Sequence, residues 1–377
     1  MNFRRLKAVT KKELLHIVRD VRSLILALAL PLVMLLLFGY ALTLDVDRIP
    51  TYVYDLDRTP QSRELIDQFR GSRYFQILGV ADNYAAIEHA VDKNTILLGI
   101  VVPRDYSRSL LAGKHADVQL LLDGSDSNTA SIALGYAQVL IQAYATRLRS
   151  DALVRRGGQP LRVPVDPRIR VWYNSDLKSK NFIVPGLIAV TMMIIAAMLS
   201  SLTIAREWEN GTMEQLLSTP VRPRELVLGK LLAYFAIGIL DMLISLLVGI
   251  FIFQVPFRGS VWFLFFTSCL FLFGALCWGI FISASARTQL AAYQMGMLSS
   301  FLPAYLLSGF VYSIRNMPVV IQIISYVVPA RYFVNILNGV FLRGVGFRFL
   351  WVEVAMLIGY AFLVFLLASR RMRQKVA

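Results

Sequence analysis

The chain has almost none of the residues that do catalysis or bind metals. It holds two cysteines and three histidines in 377 residues. Cys269 and Cys277 lie in one apolar run, so no structural disulfide is expected, and they are too few for a typical zinc site. His16, His89 and His115 are scattered without metal-ligand spacing, and no Ser/His/Asp or Cys/His constellation is legible. A phosphate-cradling G-x-x-x-x-G-K-[ST] loop is absent: Gly229-Lys230 is followed by Leu231, and Gly113-Lys114 by His115. The chain is therefore expected to hold no cofactor and to hydrolyse no ATP itself. Charged residues make up only 17% of it, against 56% hydrophobic residues and a mean hydropathy of +0.58. A soluble globular protein of this size is less apolar, and the excess here sits in runs long enough to cross a bilayer.

These runs divide the chain. Residues 23–44 read as a first span, followed by spans at about 181–205, 228–254, 261–283, 289–313 and 349–369, six in all. Ala27-Leu28-Ala29 superficially suggests a signal-peptidase site, but it lies inside a run too long for a secretory signal. Residues 3–22 precede that span. Phe3, Leu6, Leu14, Ile17, Val18 and Val21 recur at helical spacing among seven basic residues, as in a helix lying on a membrane surface. Net charge is +15, yet residues 45–180 contribute only 18 basic against 16 acidic residues. The surplus borders the apolar runs, which favours a membrane surface over nucleic acid as its partner. Sixteen basic residues flank the spans on one side and five on the other. The positive-inside rule then puts both termini in the cytoplasm, with 45–180 outside and 370–377 as a basic cytoplasmic tail.

The 45–180 segment reads differently. Ile49–Tyr54, Phe75–Val80, Ile96–Val102 and Val118–Leu122 have strand character, and Arg63–Phe69, Tyr84–Val91 and Tyr106–Leu111 helical character between them. The alternation predicts a small α/β domain with a largely parallel or mixed sheet. A long helix from about Asn128 to Arg156, stopped by Gly157-Gly158, follows, and Val171-Trp172-Tyr173 is a candidate returning strand. Ser127–Thr146 is uncharged but only weakly apolar, and counting it as a span would invert every later loop, so it is assigned to this domain.

The cytoplasmic loop 206–227 carries the motif around which the chain is organised. It contains Glu207-x-Glu209-x-Gly211-Thr212-x-Glu214-x-Leu216-x-x-Thr219-Pro220. Gly211 allows a sharp turn, and Thr212 and Gln215 stand at capping-box spacing. A short helix from Met213 to Ser218 is predicted, ending before Pro220, with Met213, Leu216 and Leu217 on one apolar face. Pro223 suits the first turn of the next helix. This stretch resembles the loop between the second and third spans of ABC-2 type permeases. A Val-Pro-Ala-Arg-Tyr-Phe element at 328–333 makes the chain similar to the multidrug-exporter permeases of the YbhS/YbhR kind within that family.

The resemblance covers essentially the whole chain. It implies that the 213–218 helix is a coupling helix whose apolar face docks in a groove of a separate ATPase subunit, present in two copies and carrying the ATP and magnesium. It implies a connecting helix at 3–22 that also touches that ATPase, where the residues alone fit a pure surface anchor equally well. A pathway between two permease subunits is implied too, as a homodimer or a heterodimer with a paralogue, and a periplasmic adaptor fits the same pattern. The predicted fold is thus an α-helical polytopic membrane protein with six spans and a large extracytoplasmic α/β domain between the first two. The rival class is a non-transporting membrane protein that passes force from an ATPase to an outer partner; such proteins usually have four spans.

Several polar residues have two readings. Glu207 and Glu209 are either solvated loop acids or salt-bridge partners of the basic N-terminal helix or the ATPase. Asp241 lies deep in a span, where a charge costs at least about 2.5 kcal/mol. It either meets a cationic substrate or a transported proton, or pairs with a polar group on a neighbouring helix. Pro303, Ser308 and Gly309 interrupt the fifth span. They are a kink and helix contact, or, by the resemblance, pathway lining. Residues 314–348 are too broken by Pro318 and Pro329 to cross and read as re-entrant or interfacial helices on the outer side.

Overall fold

The computed structural model describes residues 2–41, 46–155, 172–174 and 178–376, with nothing to be said of the side chains of 22, 23, 26, 217 and 373–376. The chain forms two compact units. One is Leu44–Ile169; the other joins Met1–Thr43 to Arg170–Ala377.

The smaller unit is built as the strand and helix patterns require. Strands β1 (Ile49–Asp55), β2 (Phe75–Val80), β3 (Leu98–Val102) and β4 (Gln119–Leu122) form one mixed sheet in the order β2-β1-β3-β4. Both neighbours of β1 run parallel to it, and β4 closes the sheet antiparallel to β3. β3 is buried along its whole length, as a central strand covered on both faces must be. The connecting helices are α3 (Pro60–Arg70), α4 (Tyr84–Asp92) and α5 (Tyr106–Leu111). The β1–α3 loop is held by carboxylates: Asp55 accepts from Ser62 Oγ at 2.7 Å, and Asp57 accepts from the Ser107 backbone N–H at 3.1 Å. The long helix α6 (Ser127–Arg155) packs on α3, burying Ala133, Ala137 and Tyr144, and Tyr136 stacks on Tyr74 at 4.1 Å. α6 falls within this compact unit and is not among the described helices long and apolar enough to cross a membrane. The Gly157-Gly158 stop and Val171 lie outside the described residues; Trp172 and Tyr173 are not in a strand.

The larger unit is helical. Helices α1 (Phe3–Arg19) and α2 (Val21–Ala41) are followed by α7 (Lys180–Glu209), α8 (Thr212–Leu217), α9 (Pro223–Leu247), α10 (Val261–Ser285), α11 (Gln289–Leu307), α12 (Val319–Ser325), α13 (Pro329–Asn338) and α14 (Phe347–Val376). α7 is the hub: its most apolar stretch is 83% buried, and α2, α9, α10, α11 and α13 all pack against it. Small residues set the closeness of this packing. A Cβ at Gly279 of α10 would stand 2.4 Å from the Ala197 carbonyl oxygen of α7, so only glycine fits there.

Among the described residues four helices are long and apolar enough to cross a membrane: α7, α9 with its π turn to Ile252, α10, and α14 to Met372. The pair Val319–Ser325 and Pro329–Arg343 qualifies only as a unit and is bent by 84°. The expected first and fifth spans fall short of that standard. The described apolar part of α2 is only Ala27–Ala41, and Gln289, Tyr293, Gln294, Ser299 and Ser300 dilute α11. α11 also ends at Leu307, before the expected 313, because Gly309 has φ +84°, a left-handed conformation that stops a helix. Arg331 fixes the bend between α12 and α13. Its guanidinium lies 3.9 Å above the Tyr326 ring centroid, and Tyr332 Oη donates to the Tyr326 carbonyl at 2.7 Å. Phe333 then stacks on Phe271 of α10 at 4.2 Å.

Candidate functional site

α8 packs against the end of α7, beside the place where α1 and α9 meet it. Gly211 adopts φ +70°, which a side chain would strain, and turns the chain sharply out of α7. α1 lies along α9 and buries Leu6, Val9, Glu13 and Ile17 in one stripe. A Cβ at Gly229 would approach Val9 Cγ1 to 2.6 Å, so glycine is what lets these two helices touch. The stripe includes an acid because α9 presents a base opposite it.

Lys230 is only 1% exposed. Its Nζ donates to Glu13 Oε1 at 2.9 Å and lies 3.0 Å from Glu207 Oε1. Lys12 Nζ donates to the same Glu207 oxygen at 2.7 Å and lies 3.3 Å from Glu13 Oε1. Two ammonium and two carboxylate groups thus form a neutral cluster joining α1, α7 and α9, at the wall of a 290 Å³ cavity that Thr212, Gln215 and Leu216 also line. Burial alone would raise the Glu13 pKa; the Lys230 and Lys12 charges outweigh it and hold that carboxyl below the usual range. Burial likewise lowers Lys12, and Glu207 and Glu13 more than reverse it, leaving it raised. Arg206 at the end of α7 reaches Asp20 Oδ2 at 3.9 Å. Glu225 closes the far side: it accepts from its own Arg222 N–H at 3.1 Å and from the Asn2 N–H at 2.6 Å, while Arg5 donates to the Pro220 carbonyl.

The residues singled out in the sequence are sorted by this geometry. Glu207 pairs with the basic N-terminal helix as expected. Glu209 does not: its Oε2 accepts from the Gln289 N–H at 2.7 Å, so it caps the start of α11. The expected capping box is overturned. Thr212 is already inside α8, and its hydroxyl donates back to the Glu207 carbonyl at 3.3 Å, tying the short helix to α7. The expected outward apolar face is also corrected. Met213 is fully buried in the chain's own core and Leu216 is half-buried against it, because the α7–α8 turn points that face inward. Thr212, Glu214 and Gln215 are what α8 exposes; the Leu217 side chain lies outside the described residues.

Asp241 is 3% exposed, and its Oδ1 has no hydrogen-bond partner among the described residues. The expected partner on a neighbouring helix is not found for that oxygen. Ser308 and Gly309 have a local use. Ser308 Oγ accepts from the Phe310 N–H at 3.3 Å, and Gly309 provides the left-handed turn that ends α11, while Pro303 lies half-buried within it. Sequence reading missed Glu13 and Lys230. The signal was present: Glu13 follows Val9 and precedes Ile17 by four residues on an apolar stripe, and Lys230 stands within the apolar Leu228–Leu232 run.

The profile of the family described as "ABC-2 family transporter protein" matches residues 21–370. The chain belongs to the ABC-2 transporter family. It is 37% identical over 371 residues to the Escherichia coli (strain K12) protein named "Probable multidrug ABC transporter permease YbhS", covering 96% of this chain and 97% of that one. It is 32% identical to the protein of the same organism named "Probable multidrug ABC transporter permease YbhR", with 93% of each covered. "ABC transporter G family member 20" of Dictyostelium discoideum is 23% identical over 96% of this chain, which spans 49% of that longer protein. As an ABC-2 permease the chain is a multi-pass membrane protein, and permeases of this family work with ABC ATPase subunits.

Proposed function

We propose that this ABC-2 permease is an export subunit moving hydrophobic or amphiphilic compounds outward across a bacterial inner membrane. Two copies, or one copy and a paralogue, form the pathway, and two ATPase subunits power it with their own ATP and magnesium; a periplasmic adaptor would extend it. The six spans are α2, α7, α9, α10, α11 and α14. Both termini and α8 face the cytoplasm, the α/β unit lies outside, and the α12–α13 bend forms the re-entrant element on the outer side.

One observation carries this reading: the Lys12–Glu13–Glu207–Lys230 cluster binds the approach to α8 to α1, α9 and the central helix α7. A junction tied by four ion pairs across three helices moves as one body, so a push on α8 is passed to the helix that most others pack on. The orientation is tested by impermeant thiol labelling of intact spheroplasts in a Cys-free background. A cysteine at Asp92 should label and one at Arg222 should not; labelling of both would overturn the six-span arrangement. Reconstitution with the ATPase in proteoliposomes should show ATP-driven movement of a labelled compound. ATP turnover without any transport would favour a force-transmitting protein instead.

Asp241 adds a substrate preference to this reading. A buried carboxylate with an unpartnered oxygen in a span attracts positive charge. Asp241→Asn is expected to slow transport of cationic compounds at least about tenfold, the equivalent of ~1.4 kcal/mol, with neutral ones unaffected. Equal rates for both classes would show that Asp241 is structural.

A further inference from the structure

Two further buried oxygens near Asp241 lack a hydrogen-bond partner. Ser245 is 1% exposed and Ser268 0%, and neither hydroxyl has a partner among the described residues. A serine or threonine inside a helix commonly donates back to a carbonyl three or four residues earlier. Thr191, Ser200, Thr203 and Ser285 do so in this chain, and so does Thr267, the neighbour of Ser268. Ser245 and Ser268 do not, and their hydroxyls are left to serve another group.

The helix contacts bring these oxygens to one place. Asp241 and Ser245 stand four residues apart on α9 and share a face of it. α10 follows α9 after a short connection and packs against it, which makes the two antiparallel. Gly238 of α9 gives their register: a Cβ there would stand 2.7 Å from Leu272 Cδ1 of α10. One turn on from Gly238 is Asp241, and one turn back from Leu272 is Ser268. In antiparallel helices these steps go the same way, so Asp241 and Ser268 come level, with Ser245 a turn beyond.

No cation of the protein balances this carboxyl. Asp241 forms no ion pair among the described residues. The charges of α1 gather around Lys230, about three turns or ~16 Å back along α9; Tyr234 lies between. α7 has no ionisable side chain between Lys180 and Arg206. α10 offers only Cys269 and Cys277, α14 only Tyr360 between Glu353 and Arg370, and α2 only Tyr40 after Leu24. A bare carboxylate at this burial is costly. One negative charge is matched by one positive charge, and carboxylate and hydroxyl oxygens suit a hard one. With Asp241 at 3% exposure and both serines lower, a hydration shell cannot accompany it.

We infer that Asp241, Ser245 and Ser268 form a site between α9 and α10 for one small dehydrated monovalent cation, a proton or a sodium ion. The inference rests on the reading of Asp241 given above and deepens it: a cationic compound reaching that carboxyl displaces a resident ion. Ion binding is read on the permease alone, without ATPase or transport, so either claim can fail while the other stands.

The test is infrared difference spectroscopy and thermal unfolding of the full chain in neutral detergent at neutral pH, in choline chloride or sodium chloride. In choline the wild type should show the carbonyl stretch of a protonated carboxyl that Asp241→Asn lacks. Sodium that removes this band, or that raises Tm in wild type and not in Asp241→Asn, assigns the site to sodium. A band unchanged by sodium assigns it to a proton. Ser268→Ala and Ser245→Ala should each shift the band by loss of a hydrogen bond, and should weaken any sodium response about tenfold. These shifts identify the band even if Asp241→Asn does not fold. Absence of both an Asp241-dependent band and a sodium response would overturn the inference. So would a band or sodium response that neither serine substitution alters.

Discussion

Lys230→Met is expected to destabilise the helical unit by about 3–5 kcal/mol, because it leaves a buried carboxylate pair with one ammonium between them. Lys230 is 1% exposed and Glu13 5%, so water cannot replace the lost charge, and Lys12, whose side chain is 49% exposed, must serve both acids. The variant should unfold at lower temperature and transport little. Removing Glu13 as well restores neutrality: Lys230→Met with Glu13→Gln leaves Lys12 paired with Glu207. The double variant should therefore recover a large part of the lost stability, the non-additivity expected of groups in one network. Additive losses would show that the four charges do not act together. The cluster also has a pH signature. The folded-state pKa of Glu13 is depressed, so its contribution is present above the ordinary carboxylate range and is lost as pH falls through the depressed value. Lys12 is raised, so its contribution is present below the ordinary lysine value and is lost only as alkaline pH passes the raised one. Stability at neutral pH contains both.

Much of this architecture was legible because membrane solvation and strand periodicity act locally. All four strands and the three short helices between them follow their residue patterns, and α7, α9, α10 and α14 follow their apolar runs. The 207–220 motif was legible as a turn and a short helix, since Gly211 and Pro220 act on their own backbone. What the motif's side chains touch was not legible. Met213 and Leu216 looked like an outward docking face because an apolar stripe gives no direction; the Gly211 turn decides it by folding α8 back under α7. The capping-box spacing predicts that the Thr212 hydroxyl accepts from a backbone N–H, whereas it donates to the Glu207 carbonyl of the preceding helix. Glu13 and Lys230 are 217 residues apart, and only the α1–α9 contact makes their charges one feature.

That inward turn changes how coupling must be tested. Leu216→Asp would damage the permease itself, since Leu216 packs against its own core, so loss of the ATPase could follow from that damage as well as from a lost docking contact. Glu214 separates them. It is exposed on α8, lies in the first turn of that helix, and forms no ion pair among the described residues. Reversing its charge should leave folding unchanged. At a docked interface it places a cation where an anion was accommodated, which costs about 3 kcal/mol, roughly a hundredfold in Kd. The measurement is the amount of co-expressed ATPase retained per permease on affinity purification, read beside Tm, for wild type and Glu214→Arg. The expected result is an unchanged Tm with the ATPase largely lost and ATP-driven transport abolished. Full retention of the ATPase and wild-type transport by the Glu214→Arg protein would contradict the claim that α8 is where the ATPase docks.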